Sequence, residues 1–267
     1  MPINRIDELR KSLIGKAKKQ VQEKYSGRES HAIRAVAVLQ DLDASFNLLT
    51  EHCIEWHSMH FPELQRVVND NQAILKLIYF LGDRKEFTEK KVKEHLPDKA
   101  DSVVKAAAKS MGSKVDEAVL GEIRLLALNA LQLREERDVL LKFIESEMDA
   151  VAKNFSEVAG CLLGAKLLGE AGSLEKLAMM PSSTIQLLGA EKALFRHLKN
   201  RSAKPPKHGF ILMHPLVQKT PRKNKGKMAR ALAGKLSIAA RSDFFGKKGI
   251  SPKLIKELEN RQNELKT

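Results

Sequence analysis

The chain has 267 residues, 43% of them hydrophobic and only 5% aromatic, with 47 Lys plus Arg against 33 Asp plus Glu, a formal charge of +14. That apolar content supports a packed core and excludes global disorder, while no run approaches the ~18–20 apolar residues of a bilayer span. Abundant Leu, Ala, Lys and Glu favour helix over sheet, the first 28 residues hold no apolar signal-peptide core, and two distant cysteines, Cys53 and Cys161, imply no disulfide framework.

In chain order, Asp7 to Tyr25 is expected as a helix with a narrow apolar stripe of Ile6, Leu9, Leu13, Ala17 and Val21. Lys16, Lys18, Lys19 and Lys24 crowd its other faces, a solvated surface in the first instance and a phosphate-contacting arm in the second. Ser26-Gly27-Arg28 breaks the helix, with Ser30 as the expected cap of the next.

Two long segments then show hydrophobic spacing of three and four. The first runs through Leu39, Leu42, Phe46, Leu49, Cys53, Trp56 and His60. The second runs through Val119, Ile123, Leu126, Ala130, Leu133, Arg137, Leu140 and Ile144. Each seam needs a partner helix, and the simplest partner is the other segment in an antiparallel hairpin. The second arm has further leucines off its seam, Leu125, Leu128, Leu131 and Leu141, which a two-helix hairpin leaves uncovered; self-association through them is expected. Between the arms, residues of about 61–113 predict a small helical tip, opened by Phe61-Pro62-Glu63-Leu64. His52, Cys53, Glu55, His57 and His60 lie at ligand-like spacing, but zinc needs four ligands, no second Cys/His pair follows, and Cys53 and His60 sit on the seam, so packing is the expected role.

From residue 151 the helices shorten. Gly160 and Gly164 mark a close-packing face, and neither a Walker loop nor a Gly-x-Gly-x-x-Gly occurs. Pro181 to Thr184 starts a helix that Gly189 interrupts. Ala190 to Lys199 resumes it, with Ala193, Leu194, His197 and Leu198 expected inward and Lys192, Arg196 and Lys199 outward. Glu191 beside this helix start could cap it, orient Lys192, or accept a donor from a base edge or a protein. Residues 200–225 are a Pro-rich loop with a small hairpin expected at Gly209 to Met213. The last basic helix divides into a Met228, Leu232, Leu236, Ala239 face and a Lys223, Lys227, Arg230, Arg241 face.

Residues 192–248 hold 16 Lys plus Arg and one acid, Asp243, so this segment carries +15 and the rest of the chain sums to −1. Charge held in one segment is the footprint of a polyanion site. No Ser/His/Asp, Cys/His or paired-carboxylate arrangement supports catalysis, so a non-enzyme without cofactor is expected. Aromatics in the segment are too scattered for a base-stacking surface, which favours a folded RNA read by shape and phosphate. An architectural protein on double-stranded DNA is the alternative.

The motif Gly189-Ala190-Glu191-Lys192-Ala193-Leu194-Phe195-Arg196, with Pro206-Lys207-His208-Gly209 and Lys227-Met228-Ala229-Arg230, resembles the Nop domain. His60-Phe61-Pro62-Glu63-Leu64 resembles the coiled-coil region that precedes it in the same proteins, the scaffolds of box C/D ribonucleoproteins and a splicing relative. The resemblance covers nearly everything from residue 30 onward. It implies an all-α protein: a basic N-terminal helix (1–28), a long antiparallel coiled-coil arm with a helical tip (29–150) and a compact Nop domain (151–267). It implies recognition of kink-turn RNA together with a small ribosomal-type protein, and pairing of two copies through the arm. The RNA-binding set it suggests is Gly189, Ala190, Glu191, Lys192, Arg196, Lys199, Lys204, Lys207, His208, Arg222, Lys227 and Arg230. Archaeal scaffolds of this kind usually hold the fibrillarin methyltransferase on an N-terminal α/β domain; only about 28 residues precede the arm here, so fibrillarin is left open. The expected location is the cytoplasm in an archaeon and the nucleolus or nucleus in a eukaryote.

Overall fold

The computed structural model describes residues 2–200, 202–246 and 249–266, and the side chains of all but 2–8, 23 and 24 of these. The expectations for the Ile6 and Lys24 side chains and for Lys248 lie outside it. The described residues are helical, without strands. Helix α1 (Pro2–Ser26) is separated only by Gly27 from α2 (Arg28–Ser58). Ser30 therefore lies inside the first turn of α2, not at its cap: the Ser30 and His31 amides already donate to the Gly27 carbonyl. By its contacts the chain divides into two compact units, Val38–Leu141 in one, and the residues up to Ala37 with those from Lys142 onward in the other.

Within the first of these units, α3 (Leu64–Val67), α4 (Asn71–Phe80), α5 (Glu89–His95) and α6 (Ala100–Ala108) follow α2 and lead to α7 (Glu117–Val151). Asp70 starts α4 by accepting from the Gln72 and Ala73 amides, satisfying two donors that a helix N-terminus leaves orphaned. The core gathers Phe61, Leu64, Leu75 and Ile78 with Cys53 of α2 and Ile123 of α7. Arg137, the polar member of the second seam, bridges the helices by donating to Asp43 at 2.5 Å. Trp56 departs from its expected place: it is 40% exposed, and Ile54 and His57 are buried instead. Leu128, Leu131 and Leu141 are half-buried, so the exposed large apolar side chains of α7 in this unit are Leu125 and Val139.

Two of the three histidines of the candidate metal cluster, His57 and His60, are spent on backbone. His57 Nε2 donates to the Gly82 carbonyl at 3.0 Å. His60 Nδ1 donates to the Ser113 carbonyl at 2.9 Å while its Nε2 accepts from the Arg84 amide at 3.1 Å. Burial pushes the Cys53 thiol up to about 12. The histidine bonds tie the middle of the tip, at Gly82 and Arg84, and its far end, at Ser113, to the segment that closes α2.

In the other unit, α8 (Lys153–Ala159), α9 (Cys161–Ala171), α10 (Leu174–Met179), α11 (Ser182–Leu187), α12 (Glu191–Lys199) and α13 (Pro215–Gln218) precede α14 (Lys225–Phe244) and α15 (Ser251–Lys266). Helix α14 is the axis: α8, α10, α11, α13 and α15 all pack on it. Its Met228, Leu232, Leu236 and Ala239 are fully buried, the apolar face expected from their spacing. Asp243 near its C-terminus accepts from the Asn154 amide (3.1 Å), the Asn154 side chain (2.7 Å) and the Phe155 amide (2.8 Å), capping α8 from outside. Asn154 Oδ1 in turn accepts from the Ile250 and Ser251 amides, where α15 begins. The expected hairpin at Gly209 to Met213 is a 3₁₀ turn, Phe210–Met213.

Burial lowers His57 from 6.5 to about 4, since its imidazolium would be cut off from water. A base with a depressed folded value stabilises the fold above its unfolded value, and that contribution is lost as pH falls from about 6.5 toward 4. The loss is expected to approach ~3 kcal/mol. Denaturant titrations from pH 7 to 5, above the range where most carboxylates protonate, should show wild type losing stability that His57→Gln does not lose; parallel pH profiles would refute the assignment.

Candidate nucleic-acid interface

The site grows from a turn that only glycine permits. Gly189 follows α11 with φ +82°, and a Cβ there would lie 2.5 Å from the Phe210 ring. The segment before it meets the Pro-rich loop edge to edge: the Gly209 amide donates to the Gln186 carbonyl at 2.9 Å, and the Phe210 amide to the Leu188 carbonyl at 2.8 Å. Gln186 Nε2 returns a bond to the Lys207 carbonyl at 2.6 Å. Lys166 stands over the Phe210 ring at 4.3 Å, a cation–π contact that backs the turn. The Lys207 region is thereby fastened beside the first turns of α14.

What results is a groove of ≈360 Å³ lined by Gln186, Pro206, Lys207, Lys223, Lys227 and Arg230, with no acid on its walls. Lys207 and Gly226 also line an adjoining hollow with His208, Arg222 and Lys225. Lys227 and Arg230 continue into a third, with Arg261 of α15. The three share residues and form one cationic surface. It gathers five of the expected residues, Lys207, His208, Arg222, Lys227 and Arg230.

The remaining expected residues lie on or beside α12. Lys192, Arg196, Lys199 and Lys204 are exposed. Glu191 accepts from the Gly189 amide at 2.6 Å, so its carboxylate closes the turn at the helix start, where the dipole favours a negative charge. Leu194 and His197 are half-buried, as expected, and His197 Nδ1 donates to the Ala203 carbonyl. Ala193 and Leu198 are not inward: Leu198 is 64% and Phe195 59% exposed, and no residue of α12 is fully buried. The 3.6-residue pattern read as a core stripe is an unpartnered one.

Other basic residues of the segment are committed internally. Lys235 pairs with Glu257 of α15 and holds that carboxyl below its usual range. Arg241 Nε donates to the Ala178 carbonyl at 3.0 Å. Gln186, Lys223, Lys225 and Arg261 belong to the cationic surface but not to the expected set. Lys223 and Lys225 were visible in the charge run, whereas Gln186 and Arg261 arrive through tertiary contact.

Residues 38–264 match a family model described as Nop: snoRNA binding domain, fibrillarin. An uncharacterized NOP5 family protein of Methanocaldococcus jannaschii is 44% identical over 268 residues, covering 98% of this chain and 64% of the relative. Human nucleolar protein 58 is 39% identical over 236 residues, covering 88% of this chain and 44% of the relative. Each relative is thus matched over less than two thirds of its length. Among solved structures, a fibrillarin/Nop5p complex aligns with a TM-score of 0.54 at 25% identity, over 97% of this chain and 78% of the other.

Two glycines of the interface should respond oppositely to a methyl group. A Cβ on Gly209 would sit 1.9 Å from the Leu188 carbonyl oxygen, backbone that cannot yield, whereas one on Gly226 meets only Lys207 side-chain atoms at 3.8 Å. Gly209→Ala is expected to cost about 1–3 kcal/mol in chemical denaturation. Gly226→Ala, in the first turn of α14, is expected to be neutral or to stabilise by up to about 1 kcal/mol.

Proposed function

The chain belongs to the Nop family, and on that premise we propose that it is a non-catalytic RNA-binding scaffold of a box C/D-type ribonucleoprotein that recognises kink-turn RNA together with its bound small ribosomal-type protein. The observation that carries this reading is the pairing of two unlike surfaces. One is the acid-free groove of Lys207, Lys223, Lys227 and Arg230, suited to phosphates. The other is α12, where exposed Phe195 and Leu198 stand among Lys192, Arg196 and Lys199. Phosphate needs no apolar neighbour, but a protein already seated on RNA presents both charge and apolar surface. A duplex-DNA binder that held phosphates alone would leave Phe195 and Leu198 uncovered.

The exposed Leu125 and Val139 of α7 support self-association through the arm. Fibrillarin is proposed as a further partner on the strength of the solved complex alone. Such an assembly belongs in the nucleolus or nucleus of a eukaryote, in keeping with the nucleolar name of the human relative, and in the cytoplasm of an archaeon.

A gel-shift series with naked kink-turn RNA, the same RNA carrying its small protein, and duplex DNA tests the reading. Tight binding is expected only to the RNA–protein complex; equal binding to duplex DNA would overturn it. Lys227→Glu, Arg230→Glu and Arg196→Glu should each weaken that binding by ~1–3 kcal/mol. Phe195→Ala with Leu198→Ser should weaken binding to the complex and leave residual binding to naked RNA unchanged.

A further inference from the structure

Helix α14 carries a second outward face that the RNA site does not use. Ile238, Arg241 and Phe245, spaced by three and four, share one side of its C-terminal half, about 12 to 22 Å along the axis from Arg230. With Ile250, which precedes α15, they line a hollow of ≈420 Å³. The Arg241 Nε bond to the Ala178 carbonyl sets the end of α10, with Met179, alongside. Met179 and Phe245 are more than half exposed and Ile238 nearly half. The Phe244 ring meets that of Phe245 edge to face at 5.1 Å. Large apolar side chains from two helices and a loop thus surround one guanidinium, the mixture of residue types that marks the centre of protein interfaces.

Charge decides what suits this face. Among the described residues Arg241 is the one charged side chain lining the hollow, and no acid lines it. The acids nearby are used or balanced. Asp243 is spent on the start of α8 and Glu257 on Lys235, while Glu175 of α10 is followed by Lys176, and Lys253 lies in the first turn of α15. Among the described residues the guanidinium makes a single hydrogen bond, from Nε, which leaves both terminal nitrogens for a partner. A guanidinium fork fits a carboxylate, and apolar walls strengthen such a pair over its value in water. A nucleic-acid backbone would engage the one cation and leave Ile238, Phe245 and Met179 wet. A wholly apolar partner would bury Arg241 unpaired.

We propose that this face is a docking site for a second protein, taken by a segment that lays an apolar side chain between Ile238 and Phe245 and sets an Asp or Glu carboxylate on Arg241. The site is separate from the RNA groove, so one chain can hold both partners.

The probe is a phage-displayed random peptide library selected on the folded full chain, with the enriched sequences remade as synthetic peptides and measured by fluorescence polarisation. Enriched sequences should pair an apolar residue with a nearby Asp or Glu. Ile238→Ser and Phe245→Ser, which change exposed side chains and are checked for folding by circular dichroism, should each raise the peptide dissociation constant ~10-fold. Replacing the peptide's acid by Gln should raise it ~5–10-fold on wild type and leave it unchanged on Arg241→Gln, a cycle that a general loss of stability in that variant does not mimic. A selection that yields no peptide sensitive to Ile238→Ser or Phe245→Ser, or equal binding of the acidic and Gln peptides by wild type, overturns the docking site. Weaker binding of the kink-turn RNA–protein complex by Ile238→Ser also overturns it, by assigning this face to the ribonucleoprotein contact.

Discussion

The second unit is held in register by one carboxylate. Asp243 takes two backbone amides and a side-chain amide at the start of α8, and the buried Asn154 it orients takes two more at the start of α15. Two helices, α8 and α15, are thereby tied to the C-terminal end of α14. Charge-assisted bonds of this kind are stronger than neutral ones, and each satisfies a donor that a helix start leaves unpaired. The same network explains why a segment of +15 retains one acid. Lys227 and Asp243 are 16 residues apart on one helix, about 24 Å, well beyond the ~8–10 Å over which exposed charges interact at physiological salt. The anchor therefore leaves the groove's potential intact.

That potential works against the helix that bears it. Lys225, Lys227 and Arg230 stand at the N-terminal end of α14, where the dipole is already positive, and the capping side chain that could offset it is diverted: Asn224 donates to the Leu265 carbonyl. Cations so placed cost about 0.3–1 kcal/mol each. Burying Met228, Leu232 and Leu236 contributes about 1.5–3 kcal/mol each. The apolar face wins, and the helix can present an electrostatically unfavourable surface because its other side is locked into the core. An anion in the groove would relieve the conflict.

Much of this was legible in the residues because periodicity and local charge survive folding. The inward face of α14, the Arg137 position on the α7 seam and the glycine turn at Gly189 follow from spacing and residue type. Gln186 and Arg261 were not legible, since each reaches the cationic surface across contacts between segments distant in sequence. Leu198 and Trp56 misled for a different reason. An apolar residue at helical spacing reports only that some surface wants to cover it, and cannot say whether that surface is the protein's own core or another molecule. Ser30 resembled a cap because its residue type suits one, but the chain resumes helix directly after Gly27, before a capping geometry is needed.

The exposed stripe of α12 bears on the order of assembly. A helix of nine residues that buries none of them fully gains little from tertiary packing, and isolated helices of that length are marginal in water. What holds α12 in place is local: Glu191 on the Gly189 amide, and His197 on the Ala203 carbonyl. On the proposed function, the surface that α12 lacks is supplied by RNA and small protein together. Naked RNA would satisfy its lysines and leave Phe195 and Leu198 in water; the small protein alone would cover the apolar pair and leave the cations unmatched. Only the preformed complex offers both, and the ordering cost of α12 is offset in a single step. On that proposal the scaffold would bind second, after the RNA has been bent and gripped, because α12 would be completed by a surface that does not exist before then.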